Sequence, residues 1–316
     1  MNPGTPAVPH AEDGKSYGAV GDFLRSPADH VDLAEFLDRF EARRIKIRIA
    51  GAAAALLEPA LIGRLRGALG DILLRTASPQ AIAGQACPWR PPCAFEALFR
   101  QQGRMTSGTD FPSPWVIGVQ ARRGTLEVIL TLFGKAGEWA PAAAEALVEA
   151  CIRIDWRAAA NGFVPALTIL DRSMERVTLD TSAIKEQTEL EFLTPLVVSS
   201  QDAATSPVSA FTTFGLRLEG LARWHGLTLE PVDWSALAVN LRTAEWNWSD
   251  MEVVNWQRGS RRQGRWLPMR GVVGMLHVAA DSRTLAGIAP LLCLGAVAHV
   301  GADIAFGCGR FRIARR

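Results

Sequence analysis

The clearest signal along the chain is the alternation in "RRIKIRIAG", where Ile45, Ile47 and Ile49 interleave with Lys46 and Arg48. A period of two with one apolar side predicts a half-buried β-strand. "PALIGRLRGALGDILLR" switches to helical spacing from Pro59 onward, and proline suits a first helical turn. Ahead of both, "HVDLAEFLDRF" sets Val31, Leu33, Phe36, Leu37 and Phe40 on one helical face, after a start rich in Pro, Gly and Ala. "SPWVIGVQ" and "GTLEVILTLFG" read as strands joined at the "ARRG" turn, "PAAAEALVEACIRI" as a helix, and "GFVPALTIL" as a closing strand.

The same order returns downstream. "TELEFLTPLVVSS" reads as a strand and "SAFTTFGLRLEGLARWHG" as a helix, strand-like pieces follow around 251–257 and 271–279, and "RTLAGIAPLLCLGAVAHVG" and "IAFGCGRFRI" close the series. Two successive βαββαβ units predict an α+β protein of two tandem ferredoxin-like, RRM-like domains, each an antiparallel sheet with two helices on one face. The expected division is an N-terminal extension with a short helix over 1–40, a first domain over 41–180 and a second over 181–316. The join is expected in the polar stretch near 171–187.

Composition narrows the class. With 48% hydrophobic residues in 316, the chain can bury the cores of two ordinary domains. No apolar run approaches a membrane span, and "MNPGTPAVPHAEDGKSYG" lacks the basic start and apolar core of a signal peptide. A cytoplasmic protein without membrane partners is expected. Cys87, Cys93, Cys151, Cys293 and Cys308 are an odd number, which argues against a disulfide framework. "CPWRPPC" is a poor zinc half-site without a second pair nearby, and its bland reading is two small residues flanking a proline-stiffened loop. No metal ligand set is assigned.

The net charge of +2 conceals an asymmetry. From Trp256 to Arg316 ten arginines face only Asp281 and Asp303, a local +8, so residues 1–255 carry −6 by difference. "WQRGSRRQGRWLPMR" interleaves Trp256 and Trp266 with Arg258, Arg261, Arg262, Arg265 and Arg270, without an acidic residue. Stacking rings beside planar guanidiniums suit single-stranded RNA or the base of a hairpin. The alternative is a solvated basic hairpin with its tryptophans in the core.

"HVGADIAFGCGRF" then sets Gly301, Gly307 and Gly309 among apolar residues close to the last residue. Glycine recurs where something must approach the backbone. The spacing lacks the lysine and hydroxyl of a P-loop, and too little chain follows for a dinucleotide fold. An unliganded glycine hairpin and a phosphate-binding loop remain.

"LEFLTPLVV", "FGLRLEGLARWHG", "WQRGSRRQGRWLPMRGVVG", "LAGIAPLLCLGAVAHVG" and "FGCGRFRI" follow one another as in CRISPR-associated repeat-processing endoribonucleases of the RAMP superfamily. In the first half "CPWRPPCAFEALF", "PSPWVIG" and "LTLFGKA" resemble that family too. The resemblance covers most of the chain. It implies an enzyme that binds CRISPR repeat RNA and cuts pre-crRNA once per repeat. No metal or other cofactor takes part: the RNA's own 2′-hydroxyl attacks the adjacent phosphate, leaving a 2′,3′-cyclic phosphate and a 5′-hydroxyl. Gly301, Gly307 and Gly309 would then lie at the domain seam and offer N–H groups to phosphates, with Arg310 adding charge. Two positions depart from the family pattern: Ala302 stands where many relatives carry lysine, and the first helix offers Arg64 and Arg66 where many carry histidine.

The chemistry asks for a base, and for a cation or acid on the phosphorane. His299, two residues before the loop, is either the general acid or base or a packed residue. Arg66 is the candidate cation, against the ordinary role of a helix-surface ion pair. His30 and the sole tyrosine, Tyr17, precede the first strand and could fold over the site. His225 closes a helix, where charge would favour the dipole; His277 sits in an apolar strand, and His10 in the expected flexible start. The alternative to an enzyme is a non-catalytic RAMP subunit capping the crRNA 3′ hairpin in an effector complex with other CRISPR subunits. A third reading is a ferredoxin-like protein that binds a small molecule or another protein.

Overall fold

The computed structural model describes residues 18–52, 60–106, 108–156, 167–198, 207–230, 232–260 and 264–314. The expected flexible start, with His10 and Tyr17, and the arginines Arg261 and Arg262 lie outside these residues.

The chain opens with α1 (Gly18–Arg25), β1 (Asp29–Val31) and α2 (Leu33–Arg39). β2 (Ala42–Ala50) follows, then α3 (Leu61–Arg75), the short α4 (Pro79–Ile82) and α5 (Ala94–Phe99), and a small hairpin of β3 (Arg104–Thr106) and β4 (Thr109–Asp110). β5 (Trp115–Arg122), β6 (Thr125–Phe133), α6 (Ala140–Arg153) and β7 (Thr168–Arg176) complete the first half. The second half runs β8 (Gln187–Leu196), α7 (Pro207–Trp224), β9 (Leu227–Leu229), α8 (Trp234–Thr243), β10 (Glu245–Ser260), β11 (Arg265–Ala279), α9 (Ser282–Ala298) and β12 (Phe311–Ile313).

The larger sheets are ordered β7-β2-β6-β5 and β12-β8-β11-β10, and all their pairings are antiparallel. Counted within each half, both orders are 4-1-3-2, the order of a βαββαβ ferredoxin-like unit. The fold is α+β with tandem ferredoxin-like domains, as the alternating patterns predicted. No helix among the described residues is long and apolar enough to cross a membrane.

Each core follows from the pattern that forms its strands. Ile45, Ile47 and Ile49 of β2 pack with Trp115, Ile117 and Val119 of β5 against Leu65, Leu69, Ile72 and Leu73 of α3. The polar side of β2 pairs with β7 instead: Lys46 Nζ lies 2.7 Å and an Arg44 Nη 3.7 Å from Glu175, and Arg48 lies 3.5 Å from Asp171. In the second half Leu190, Phe192 and Leu196 of β8 face Phe211, Phe214, Leu218 and Leu221 of α7 and Ile288, Leu291 and Leu292 of α9.

Several elements correct the sequence reading. The polar stretch expected to join the domains begins inside β7, an edge strand whose carboxylates serve β2. Ion pairing, rather than burial, accounts for its composition. Residues 162–166 of the expected closing strand lie outside the described residues. α1, β1 and α8 were not foreseen. β1 pairs in parallel with β9, Asp29 opposite Leu227, and Val31 and Phe36 are buried in the second core. β1 and α2 therefore dock on the second half of the chain, while Val20 and Leu24 of α1 are buried in the first core.

Candidate functional site

The glycine-rich loop leaves α9 at His299 and returns through a short turn, Ile304–Phe306, to β12. Gly301, Gly307 and Gly309 have φ of 85°, 80° and 71°. At Gly309 a Cβ would stand 1.6 Å from the Val300 carbonyl oxygen, and at Gly301 2.5 Å from that of Val197. The visitor to this backbone is the chain itself. Gly309 N donates to Pro195 O at 2.8 Å, Gly307 N to Ile304 O at 2.8 Å and Ala302 N to Val197 O at 2.7 Å, while Val300 N donates to Gly309 O at 3.0 Å. The N–H groups of Gly307 and Gly309, expected to meet phosphates, are thus already engaged. Their role is to shape the turn that carries Phe306.

That turn joins the two halves. It packs on α3, where a Cβ at Gly63 would sit 3.7 Å from the Phe306 ring. The guanidinium carbon of Arg66, also on α3, lies 4.8 Å from the Phe306 centroid, and that of Arg258, on β10, lies 4.0 Å from it. Arg66 is also 5.9 Å from the Phe99 ring and 6.0 Å from Trp115. Ring stacking of this kind contributes about 0.5–2 kcal/mol per pair. Burial lowers the affinity of Arg66 for its proton, and the charge of Arg258 lowers it further. Asp303 approaches Arg258 no closer than 3.9 Å. The Nε atoms of both arginines are buried without a hydrogen-bond partner. Two cations share one ring with little compensation, an arrangement suited to an oxyanion.

Arg310 takes a different place from the one expected. Its side chain crosses to β5, donating to Val119 O at 2.8 Å and Gln120 Oε1 at 2.5 Å, while its backbone N–H reaches Thr194 Oγ1 at 2.9 Å. Gly118 makes room, since a Cβ there would stand 3.1 Å from the Arg310 Cδ. Burial first, and then the charge of Arg44, lowers its pKa to about 10. It stays charged at neutral pH, but that charge is spent as an inter-domain strut. A cleft of about 420 Å³ lies beside it, lined by Arg44, Lys46 and Gln120 of the first sheet and by His299, Arg310 and Arg312.

His299 caps α9 with φ 62° and ψ 158°, a region nearly confined to glycine and costing ~1–3 kcal/mol. The side chain must therefore matter more than the backbone. It is only 4% exposed, and its Nδ1 is buried without a partner. Burial holds its pKa well below the usual range, aided by Arg310, Arg217 and Arg44, against a hydrogen bond with the Cys308 backbone. The ring is neutral and almost wholly buried at the wall of that cleft. Because its folded pKa is depressed, its contribution to stability is complete above the unfolded pKa of about 6.5 and is lost as pH falls through the folded value. His225, also depressed by burial, acts in the same direction. Parent protein is therefore expected to lose stability below pH ~6.5 by up to about 1.4 kcal/mol per pH unit for each ring. His299→Gln should flatten that slope, read as urea midpoints at pH 7.5 and 5.5; parallel slopes would contradict the assignment.

The other expected residues separate. His30 lies on β1 and bonds Glu230 Oε2 at 2.9 Å, both side chains exposed, and it lines neither the cleft nor the Arg66 seam. His225 bridges the Leu221 carbonyl at 2.8 Å and the start of β2 as a neutral ring, rather than as the dipole-favouring charge expected. His277 meets Asp250 at 2.9 Å. Arg265 and Arg270 are exposed on the β10–β11 hairpin. Trp266 beside them is 65% exposed, not in the core. Cys87 and Cys93 are buried in a small cluster with Ala77 and Ala81.

Sequence reasoning passed over Arg217. It sits on α7 between Phe214, Leu218 and Leu221, all buried, and a lone charge within a helix's apolar stripe was the available signal.

The arrangement has relatives. Residues 40–154 match the N-terminal domain model AF_1859_N, and residues 190–311 match that of the CRISPR-associated endoribonuclease Cas6. No curated protein matches the sequence. Among solved structures, a mutant of Cas6 (TTHA0078) is similar with a TM-score of 0.50 and 15% identity, over 87% of this chain and 99% of that one. Thermus thermophilus Cas6 (TTHB231) is similar with a TM-score of 0.49 and 15% identity, over 87% and 99%. A Cas6 (TTHA0078) product complex has a TM-score of 0.49 and 13% identity over the same shares, 87% and 99%. The first of these, at a TM-score of 0.50 and 15% identity, speaks to the fold alone. The glycine-rich loop falls inside residues 190–311, the part of the chain that is similar to the CRISPR-associated endoribonuclease Cas6.

Proposed function

We propose that this protein binds CRISPR repeat RNA and cuts pre-crRNA at the seam between its two halves. The carrying observation is that Arg66 from the first half and Arg258 from the second meet on Phe306 of the glycine-rich loop. The 2′-oxygen attacks the adjacent phosphorus and loses its proton. The bond from phosphorus to the 5′-oxygen breaks, and that oxygen takes up a proton. The products are a 2′,3′-cyclic phosphate and a 5′-hydroxyl, and atoms balance without a metal. The two guanidiniums stabilise the phosphorane's growing charge. Arg265, Arg270 and Trp266 offer the hairpin as a backbone and stacking surface, with Arg261 and Arg262 beside them in sequence. His299 remains the acid-base candidate if RNA binding opens its pocket; otherwise it positions the loop.

One observation favours a second reading. The seam holds cations but no exposed histidine among the described residues, which suits a subunit that caps a crRNA hairpin without cutting it, within a CRISPR effector complex. Incubating the protein with repeat transcript in EDTA separates the two. Cleavage to a cyclic phosphate supports the enzyme, whereas salt-sensitive binding without any cut supports the cap. If the hairpin carries the binding, replacing Arg261, Arg262 and Arg265 by Ala should weaken RNA affinity and flatten its dependence on salt by about 0.7 for each phosphate no longer neutralised. Unchanged affinity in a folded triple variant would leave the hairpin a solvated face.

A further inference from the structure

Arg217 has no reason to be where it is in the free protein. Its Nε and one terminal nitrogen are buried without a hydrogen-bond partner, and burial lowers its pKa to about 10. Its neighbours on the helix, Phe214, Leu218 and Leu221, are core residues. Arg217 is half-buried; a cation whose buried nitrogens lack partners weakens a fold, and buried polar groups are otherwise almost always satisfied. The residue lines a cavity of about 390 Å³ between α7, the β3–β4 hairpin and the glycine-rich loop, together with Thr109, Gly301, Asp303, Ile304 and Phe306. Phe306 is the ring on which Arg66 and Arg258 stack, so the cavity adjoins the proposed cutting seam. The charge of Arg217 also helps to lower the pKa of His299.

We propose that this cavity seats a phosphodiester of the RNA strand neighbouring the one held by Arg66 and Arg258, with Arg217 as its cationic ligand. A guanidinium fork matches two phosphate oxygens; on the rim Asp303 faces Arg258 at 3.9 Å, which leaves the exposed Asp110 as the carboxylate that opposes the anion. The inference rests on the reading of this protein as an RNA binder. It explains what that reading left over: a cation kept in an apolar stripe at the expense of the free protein's stability.

Arg217→Met in the full chain tests it, because methionine fills the stripe without a charge. The variant should melt at or above the parent temperature, since it removes an unpaired charge. A CRISPR repeat RNA that the parent binds should be bound about tenfold more weakly, with a salt slope shallower by about 0.7. Arg217→Lys, which keeps the charge, should retain most of the slope. A parent that binds no repeat RNA overturns the RNA reading and this site with it. A parent that binds, with a variant of equal affinity and slope, overturns the site alone. A variant that melts lower reveals a partner for Arg217 inside the chain and also overturns it. Inorganic phosphate forms the last arm: if it raises the parent's melting temperature and not the variant's, while both bind RNA equally, the cavity takes free phosphate and not the strand.

Discussion

Gly309→Ala should melt about 10 °C below the parent. The residue's φ of 71° lies in the left-handed region, which costs an L-residue about 1–2 kcal/mol. The added methyl would also stand 1.6 Å from the Val300 carbonyl, and backbone cannot rotate away as a side chain can. Overpacking of this kind adds about 1–3 kcal/mol, and each kcal/mol lowers the melting temperature of a large domain by roughly 2–4 °C. Relieving the overlap means giving up the bonds from Gly309 N to Pro195 and from Val300 N to Gly309 O, which tie the loop to β8 and to itself. Cleavage should fall with stability, because Phe306 rides on the same turn. Gly67→Ala on α3 is the matched control: nothing lies within 4 Å of its would-be Cβ, and alanine in a helix should stabilise by about 0.5–1 kcal/mol. A Gly309 variant melting with the parent would show that the loop closes in some other way.

Arg66→Ala should slow single-turnover cleavage of repeat RNA by about 10²–10³-fold, the range for loss of one group on a developing oxyanion. Binding should change little, since the hairpin and Arg258 remain. Arg258→Ala should fall in the same range, and the double variant should cost less than the product of the two, because the guanidiniums share one ring and one phosphate. Arg66→Lys should recover only part of the rate, as an ammonium keeps the charge without the planar stacking on Phe306. Parent-like rates in both single variants would remove this seam from the chemistry.

The sequence makes some of this plain and hides the rest for physical reasons. β2, β5 and β6 are legible because burial on one or both faces imposes its own period on the residues. β7 is not, because an edge strand answered by the arginines of β2 selects charges in place of an apolar face. At the glycine-rich loop the sequence shows that something must come close, but not what. The Val197 carbonyl that fills the space at Gly301 and the Pro195 carbonyl that takes the Gly309 N–H lie over a hundred residues earlier. Arg310 reads as a free cation beside that loop and becomes a strut only because Val119 and Gln120 approach from the other domain. His299 keeps its place next to the loop, yet the depression of its pKa owes part to the charges of Arg310, Arg217 and Arg44, which come from three separate elements. Arg66 needed the opposite correction. Its helix position was legible, but the ring it shares with Arg258 is supplied from 240 residues further on.

The pairing of β1 with β9 also orders events during synthesis. Asp29 emerges from the ribosome 198 residues before Leu227, its partner. At about 5–20 residues per second the early strand waits roughly 10–40 s with its edge unpaired and Val31 and Phe36 exposed. The first ferredoxin-like unit has all its strands by residue 176, so it can close during that interval. β1 and α2, made early, are then among the last pieces to lock, and they do so only once the second half has been built around them.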